Sequence, residues 1–511
     1  MGERASRFAS GRRVGVMVPL FSIPSRKSWG VGEIADLVPL ARWLERAGLD
    51  FVQLLPVNEM EAGQSSPYSA MSAMAIDPIF IALPDVEDFE AIGGEAVFDD
   101  GQRASLTRVR ETGGVDHAAV RALKSHALEA AFAHFRSRHW ECRSSRAREL
   151  RTFTERQAWW LDDYALFRAL HEDNGGRFWT EWPQGVRDRD PAALAEAQER
   201  LAPRILYFQY LQWLADEQWQ RARHECGAIG IFGDFPFMVS ANSADVWTRQ
   251  HEFRLDASVG VPPDAFSETG QDWGLPVYRW DRIATGGYEW LKDRVRRCAD
   301  LYDGFRVDHL VGFYRTFVRE RDGQTSFVPA DEPDQRRQGE HLMRLFASGG
   351  SRILAEDLGT VPDFVRESMT ALGIPGMKVL RWERDWEAER KPFRDPRDYP
   401  ALSVATTGTH DTEALAEWWD NADVEERCLV AEVPLLRELG CPSDVPFTER
   451  IRDALIQAML QSGSELVIFP MQDLFGWRAR INTPASVNEH NWTWRLPHPI
   501  EDLPLPFSPL P

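Results

Sequence analysis

The sequence predicts an α/β protein, a (β/α)8 TIM barrel with a large mainly helical insertion and inserted loops. Eight short apolar runs alternate with helical patterns along most of the 511 residues, which is typical of parallel strands joined by crossover helices. Three acidic residues, Asp308, Glu356 and Asp411, stand just past three of these runs. A barrel of this kind assembles its active site at the carboxyl ends of its strands, so the three acids are the first candidates for a site.

The eight predicted strands divide the chain into three parts. They cover residues 14–18, 51–55, 229–232, 304–307, 353–355, 377–380, 402–405 and 466–469. Residues 1–83 hold an N-terminal tail and the first two strand-helix units, with a helix at 34–47 that ends before Gly48. Residues 84–228 are too long for one crossover helix and show helical spacing, which predicts the insertion subdomain. Residues 229–511 hold the rest of the catalytic barrel, a substrate loop at 260–280 and a C-terminal tail.

Composition and charge exclude several classes of function. The 59 basic residues against 79 acidic ones give a formal charge of −20, which repels a phosphate backbone, so nucleic acid is not an expected partner. No run of about 18 apolar residues is present, so no membrane partner is expected. Five cysteines without a C-x-x-C pair favour a reducing, cytoplasmic location. The histidines lack H-x-x-x-H and H-x-H spacing, so neither a metal nor an organic cofactor is expected.

The three acids have the arrangement that glycosyl transfer requires. Asp308 lies 48 residues before Glu356, which lies 55 before Asp411, so they belong to different strands of a barrel with about 30 residues per strand-helix unit. Arg306 shares one face of its strand with Asp308 and would keep that carboxylate ionised, as a nucleophile requires. Asp357 would raise the pKa of Glu356 towards the role of a proton donor. One attacking carboxylate and one protonated carboxyl are the pair that cleaves a glycosidic bond.

Each acidic segment has a simpler explanation when it is taken alone. Asp308 could form a buried ion pair with Arg306 that serves packing, Glu356 could cap the next helix, and Asp411 could accept backbone hydrogen bonds within a loop. The joint occurrence of three strand-end acids beside Arg306 and His410 favours an active site. The 20 Trp residues suit sugar binding as well, because flat rings stack on the apolar faces of sugars, although most of them must fill the core.

Four further segments carry a resemblance to a known family. They are SSPYSAMSAMAIDP, GDFPFMVSANSADVW, GVPPDAFSETGQDWGLPVYRW and NWTWRLP. With the three acidic segments they make the sequence, from about residue 15 to residue 497, resemble the 4-alpha-glucanotransferases called amylomaltases or disproportionating enzymes, of the alpha-amylase-like clan. The resemblance implies a retaining double displacement in which Asp308 is the nucleophile, Glu356 is the general acid and then the general base, and Asp411 is the third acid.

The same resemblance implies a set of substrate-binding residues. It assigns contacts with the sugar or with the nucleophile to Arg306, His309, His410, Ser66, Tyr68, Asp234, Asp264, Trp273, Trp382 and Asn482. The expected partners are alpha-1,4-glucans such as starch and glycogen, maltooligosaccharides, and glucose as an acceptor. The expected reaction transfers a glucan segment to the 4-hydroxyl of glucose or of another glucan, while residues 262–273 shield the covalent intermediate from water.

Two alternatives remain open at the level of the sequence. An alpha-glucan hydrolase of the amylase type would use the same three acids with water as the acceptor, and the catalytic residues do not separate it from a transferase. A glucan-binding protein that has lost catalysis would fold in the same way. The intact Asp308, Glu356 and Asp411 argue against this second alternative.

Overall fold

The core of the protein is a closed parallel barrel. The computed structural model describes residues 11–61, 63–263, 270–484, 486 and 488–506. Its strands are β1 (Arg13–Met17), β2 (Phe51–Gln53), β3 (Gly230–Phe235), β4 (Phe253–Val261), β5 (Gln271–Tyr278), β6 (Gly304–Val307), β7 (Thr316–Glu320), β8 (Thr325–Val328), β9 (Arg352–Ala355), β10 (Gly376–Val379), β11 (Ser403–Thr406) and β12 (Leu466–Pro470). Around the ring the barrel order is β1, β2, β3, β6, β9, β10, β11 and β12. The predicted (β/α)8 barrel is therefore confirmed.

Small and large residues combine to fill the interior of the barrel. A Cβ at Gly15 would lie 2.6 Å from the ring of Phe51, and a Cβ at Gly304 would lie 2.7 Å from the ring of Phe232. The two rings stack on each other with 4.5 Å between their centroids. Glycine at these positions leaves the space that the rings occupy, and the barrel is a packed core rather than a pore.

Helices occupy the segments between most of the barrel strands. The α-helices are α1 (Leu37–Arg46), α2 (Glu87–Ala91), α3 (Asp100–Glu111), α4 (His117–Phe135), α5 (Ser145–Asp173), α6 (Gln184–Arg187), α7 (Pro191–Arg200), α8 (Ala202–Glu225), α9 (Ala244–Thr248), α10 (Trp280–Thr285), α11 (Glu289–Leu301), α12 (Leu310–Tyr314), α13 (Glu332–Ala347), α14 (Asp363–Leu372), α15 (Leu415–Asn421), α16 (Val424–Glu432), α17 (Pro434–Glu438), α18 (Glu449–Leu460) and α19 (Met471–Phe475). A π-helical turn, Arg136–Trp140, follows α4 directly. Short 3-10 turns lie at Leu20–Ser22, Ile34–Asp36, Pro78–Phe80, Leu83–Asp85, Gly94–Val97, Trp179–Glu181, Gln250–Glu252, Pro396–Asp398 and Ile500–Asp502. Among the described residues no helix combines the length and the apolar character needed to cross a membrane.

The long segment between β2 and β3 is helical and is tied to the barrel segments by buried ion pairs. It contains α2 to α8, of which the long α5 and α8 pack against each other. On α4, Lys124 lies 2.6 Å from Glu33 in the segment after β1, and both side chains are 2% exposed. Lys124 also donates to the carbonyl oxygens of Ile79 and Ile81. Charged groups this deeply buried need such partners, so the position of α4 is fixed. The domain boundary at residues 84–228 stays a prediction.

A second, antiparallel sheet corrects one prediction. Its strands pair in the order β5, β4, β7, β8. The prediction of a loop over residues 260–280 is wrong for 260–261, which end β4, for 271–278, which form β5 and pair with β4, and for 280, which begins α10. Residues 264–269 lie outside the described part of the chain. Gly260, Gly274 and Pro276 are typical of loops, whereas here the close approach of two strands requires the glycine at 260. A Cβ at that position would collide with the carbonyl oxygen of Gln271.

Candidate active site

The three candidate acids lie at one end of the barrel. Asp308 directly follows β6, Glu356 directly follows β9, and Asp411 lies five residues after β11. The parallel register places Val307 of β6 opposite Ala355 of β9. Asp308 and Glu356 therefore leave neighbouring strands at the same level, and their side chains can meet.

Arg306 joins three carboxylates. It lies on β6, and its side chain is 5% exposed. Nη1 donates to Asp234 Oδ2 at 2.5 Å, and Nη2 donates to both Asp308 Oδ1 and Glu356 Oε2 at 3.0 Å. Since both oxygens lie 3.0 Å from one nitrogen, they are separated by at most twice that distance. Facing oxygens this close agree with the spacing of about 5–5.5 Å between the carboxyl groups of retaining enzymes.

The Asp308–Glu356 pair keeps one proton at a pH above the range in which carboxyl groups ordinarily lose theirs. Their side chains are 19% and 21% exposed. Burial raises the pKa of Asp308 to about 8, the charges of Glu356 and Asp234 add to this rise, and Arg306 opposes it. Burial acts in the same direction on Glu356, but Arg306 and the backbone N–H of His309 outweigh it, so the pKa of Glu356 is lowered. The pair therefore holds one proton near neutral pH, and the two pKa directions place it on Asp308. This is the reverse of the prediction that Arg306 keeps Asp308 ionised and that Asp357 raises the pKa of Glu356.

Asp411 is held in its ionised form by two side chains. Oδ1 accepts a hydrogen bond from Asn482 Nδ2 at 2.6 Å, and Oδ2 lies 3.3 Å from His410 Nε2. Burial favours the neutral acid, but the charge and hydrogen bond of His410, together with Asn482, lower the pKa of Asp411 to about 2. The side chain is 40% exposed, so it can accept hydrogen bonds from the hydroxyl groups of a ligand.

Tyr68 connects the Arg306 cluster with His410. Its hydroxyl donates to Asp234 Oδ2 at 2.7 Å and lies 3.2 Å from His410 Nε2. The rings of Tyr68 and His410 stack, with centroids 5.5 Å apart and planes 19° from parallel. A continuous polar network therefore runs from β3 and β6 to the loop after β11.

His309 brings both its backbone and its ring to the site. It has φ 45° and ψ 52°, a left-handed conformation that costs a non-glycine residue roughly 1–2 kcal/mol. In this conformation its N–H donates to Glu356 Oε2 at 2.8 Å. Its ring meets the ring of Trp273 edge-on, with centroids 4.8 Å apart. Because Trp273 lies on β5, His309 links the second sheet to Glu356.

The other predicted residues have different positions. Ser66 accepts the backbone N–H of Tyr68 through its hydroxyl at 3.4 Å, so it shapes the turn that carries Tyr68. Trp382 is half-buried and lies three residues after β10, at the same end of the barrel as the acids. Asp264 lies outside the described residues.

Two residues beyond the predicted set form hydrogen bonds with the loop that carries Asp411. Arg480 Nη2 donates to the backbone oxygen of Asp411 at 2.9 Å. Asp473 accepts the hydroxyl of Thr407 at 2.6 Å and the backbone N–H of Leu415 at 2.7 Å. A signal for Asp473 was present in the sequence, because it follows a predicted strand as the three acids do. Arg480 has no comparable signal.

Comparison with known proteins gives one consistent result. A family model described as 4-alpha-glucanotransferase matches residues 18–501. A 4-alpha-glucanotransferase from Thermus thermophilus is 34% identical over 509 residues, which span 95% of each chain. One from Chlamydia pneumoniae is 30% identical over 504 residues, which span 96% of this chain and 92% of the other.

A solved structure shows the same similarity. An amylomaltase from Streptococcus agalactiae, in complex with acarbose, has a TM-score of 0.79 at 28% identity and covers 95% of both chains. The matching family and both relatives are 4-alpha-glucanotransferases, which favours a transferase over the hydrolase alternative. The chain belongs to the 4-alpha-glucanotransferase family.

Proposed function

We propose that Asp308, Glu356 and Asp411 carry out a retaining double displacement on alpha-1,4-glucans. The observation that supports this most directly is the contact of Asp308 and Glu356 with one nitrogen of Arg306. It keeps the two carboxyl groups close enough to act on one glycosidic bond. The positive charge of Arg306 also stabilises an ionised carboxylate beside a protonated carboxyl group.

In the first half-reaction, Asp308 attacks the anomeric carbon of the donor sugar. The bond from that carbon to the leaving oxygen breaks, and Glu356 gives its proton to the oxygen, which becomes the 4-hydroxyl of the leaving glucan. The shared proton must lie on Glu356 for this step. Arg306 and the backbone N–H of Phe237, which is 3.3 Å from Asp308 Oδ2, stabilise the ionised nucleophile.

In the second half-reaction, the 4-hydroxyl of glucose or of another glucan attacks the anomeric carbon. Glu356 takes the hydroxyl proton, the bond to Asp308 breaks, and two inversions leave the configuration retained. Water would give hydrolysis by the same route. Trp273 on β5 packs against His309 beside Glu356 and so limits the access of water to the intermediate.

Asp411 acts on the sugar ring rather than on the leaving group. Its low pKa keeps it ionised at neutral pH, and Asn482 and His410 fix its orientation. An ionised carboxylate in this position accepts hydrogen bonds from sugar hydroxyls and stabilises the positive charge that develops on the ring in the transition state.

Incubation of the purified protein with maltotriose tests the proposed reaction. A ladder of longer maltooligosaccharides together with free glucose is expected. The number of reducing ends should stay constant, because each transfer forms one glycosidic bond for every one that it breaks. Rising reducing ends without longer products would establish hydrolysis and contradict the proposal.

Two variants test the role of the nucleophile. Asp308→Asn should lower turnover of maltotriose by more than about 10³-fold, because the amide cannot form the covalent intermediate. Asp85→Asn, which changes a carboxylate that is 41% exposed in the helical segment, is the matched control and should keep wild-type turnover. Substantial turnover by Asp308→Asn would exclude Asp308 as the nucleophile.

A further inference from the structure

We propose that the helical segment between β2 and β3 holds a binding site for a divalent transition metal of the Zn²⁺ type, formed by Asp88, His134 and His139. Each residue offers one ligand atom, and these atoms lie within 4.8 Å of one another. Asp88 lies on α2, His134 near the end of α4, and His139 in the π turn. No metal was expected from the sequence, because histidines two or four residues apart are lacking, whereas these two are five apart.

The distances between the ligand atoms suit a tetrahedral ion. His134 Nδ1 lies 3.0 Å from Asp88 Oδ1, and His139 Nε2 lies 3.6 Å from the same oxygen. Bonds of about 2.0–2.1 Å to a tetrahedral Zn²⁺ separate neighbouring ligand atoms by roughly 3.4 Å. The two distances to Asp88 lie on either side of that value, and the two histidine ligand atoms lie within 4.8 Å of each other, so side-chain adjustments of about an ångström admit the ion. Two imidazoles with one carboxylate favour Zn²⁺ or Co²⁺ over Mg²⁺ and Ca²⁺.

The π turn brings the two histidines to the same carboxylate. In an α-helix, residues five apart point in different directions, because the helix repeats about every 3.6 residues. In the turn Arg136–Trp140 the backbone N–H of Glu141 donates instead to the carbonyl oxygen five residues earlier, that of Arg136. This wider turn places His134 and His139 on one side of the helix. Single π turns within α-helices are frequently found at functional sites.

Neighbouring groups orient the ligands. Ser144 Oγ lies 3.1 Å from His139 Nδ1, and in the tautomer whose Nδ1–H donates a hydrogen bond to this hydroxyl, Nε2 has a free lone pair. Asp88 Oδ2 accepts hydrogen bonds from the Tyr210 hydroxyl and from Arg146, both at 3.0 Å. Oδ1 is therefore the oxygen that faces the histidines. Metal ligands are typically held by hydrogen bonds of this kind.

Charge and exposure also suit a cation. Arg146 would repel a metal at Asp88, but it also pairs with Glu87, so its charge is balanced within the cluster. Asp88 is 1% exposed, whereas the side chains of His134 and His139 are 21% and 27% exposed. An ion can reach the histidines from solvent and keep a water molecule as its fourth ligand. The buried carboxylate gains a counter-charge from it.

A bound ion would cross-link α2 to the turn between α4 and α5 within the helical segment. The site uses none of the residues proposed for glucan transfer. An ion that binds only the folded chain stabilises it by mass action. Bound Zn²⁺ should therefore raise the Tm of the protein and leave its transfer rate unchanged.

Metal binding by the full chain tests the proposal. The protein is stripped with EDTA, dialysed against Zn²⁺, and assayed for bound metal, and a parallel sample is titrated with Co²⁺. One equivalent of Zn²⁺, visible absorption bands typical of a tetrahedral Co²⁺ ion, and a Tm increase that EDTA reverses are expected.

Four variants locate the metal. His134→Gln and His139→Gln change partly exposed side chains, and each should weaken Zn²⁺ binding at least about tenfold. His251→Gln, at a side chain that is 70% exposed and paired only with Glu252 among the described residues, and Cys142→Ser, at an exposed thiol, should bind as the wild type does. Circular dichroism shows whether each variant is folded.

Three outcomes would contradict the proposed metal site. They are the absence of stoichiometric Zn²⁺ on the wild-type protein, unchanged binding by both histidine variants, and loss of binding only in Cys142→Ser, which would assign the metal to that thiol.

Discussion

At the scale of single residues, the count of charges around Arg306 explains the protonation state of the site. One guanidinium contacts three carboxylates, those of Asp234, Asp308 and Glu356. Two uncompensated negative charges in a largely buried cluster are costly, so one carboxyl group keeps its proton. The planar fork of arginine is suited to this arrangement, because its nitrogens reach separate oxygens at the same time. Arg306 thus favours one ionised and one protonated carboxyl, and the first half-reaction needs that proton to move to Glu356, because the pKa order of the free protein places it on Asp308.

The shared proton predicts the alkaline limb of the pH profile. Because the pKa of Asp308 is raised to about 8, the pair holds its proton below that pH and loses it above. Without the proton Glu356 cannot protonate the leaving oxygen. The value of kcat/KM for maltotriose should therefore fall about tenfold per pH unit above this pKa. Initial rates of glucose release, measured across neutral and alkaline pH, provide the profile.

A substitution of Arg306 tests whether the alkaline limb comes from the Asp308–Glu356 pair or from another titrating group. In Arg306→Lys the ammonium keeps the charge but contacts fewer carboxylates, so the pKa of the pair rises and the alkaline limb moves to higher pH. The value of kcat should also fall about 10²-fold, because the carboxylates lose their fixed positions. An alkaline limb at the wild-type pH in a folded Arg306→Lys variant would contradict the assignment.

At the scale of elements, the pairing of β4 with β5 determines what covers the site. β5 carries Trp273, which packs against His309, and His309 donates its backbone N–H to Glu356. The position of Trp273 therefore depends on the distance between the two strands. Gly260 on β4 sets that distance, since its lack of a side chain admits the backbone at Gln271.

Gly260→Ala should increase the share of hydrolysis relative to transfer. The added methyl group collides with the carbonyl oxygen of Gln271, so the strands separate and Trp273 moves away from His309. Water then reaches the covalent intermediate more easily. With maltotriose as substrate, the ratio of new reducing ends to longer products should rise severalfold.

A second glycine in the same sheet supplies the control. Gly323 lies in the turn between β7 and β8 with φ +86°, and nothing lies within 4 Å of a Cβ there. Gly323→Ala is destabilising through its backbone conformation alone, and it should keep the wild-type product ratio. An equal ratio in the two variants would show that β5 does not limit the access of water.

The elements that could be predicted from the sequence are those whose burial is uniform. Strand β12 covers the predicted residues 466–469, because a parallel strand that is buried on both faces has a continuous apolar sequence. Strand β5 contains Asp272, Gly274 and Pro276, and it is a strand only because β4 pairs with it. The π turn Arg136–Trp140 likewise has no sequence pattern that distinguishes it from α4.

The candidate site likewise contains residues that the sequence predicts and residues that it does not. Arg306, Asp308 and Glu356 come together because they lie on or just past neighbouring strands, a relation that strand-end position in the sequence predicts. The contact of Arg480 with Asp411 spans 69 residues and depends on how two loops pack. No local pattern carries that information. The catalytic and binding roles stay predictions that the variants above test.

At the scale of the whole molecule, the helical segment and the barrel share one core. Their buried apolar side chains form a continuous cluster. Three ion pairs cross between the segment and residues near the barrel, namely Arg121 with Asp77, Lys124 with Glu33, and Arg168 with Glu59. The helical segment should therefore unfold together with the barrel rather than as a separate unit.

Lys124→Met tests this cooperativity. It leaves Glu33 buried without its partner, which should cost about 3–5 kcal/mol of stability, and the double variant Glu33→Gln, Lys124→Met should recover part of that loss. Arg200→Met, at a pair with Asp173 in which the arginine is 51% exposed, should change stability by less than about 1 kcal/mol. Thermal unfolding followed by circular dichroism and by loss of transfer activity should move to one lower Tm in Lys124→Met. A separate early transition that leaves activity intact would mean that the helical segment unfolds alone, because the barrel would still hold Asp308, Glu356 and Asp411 in place.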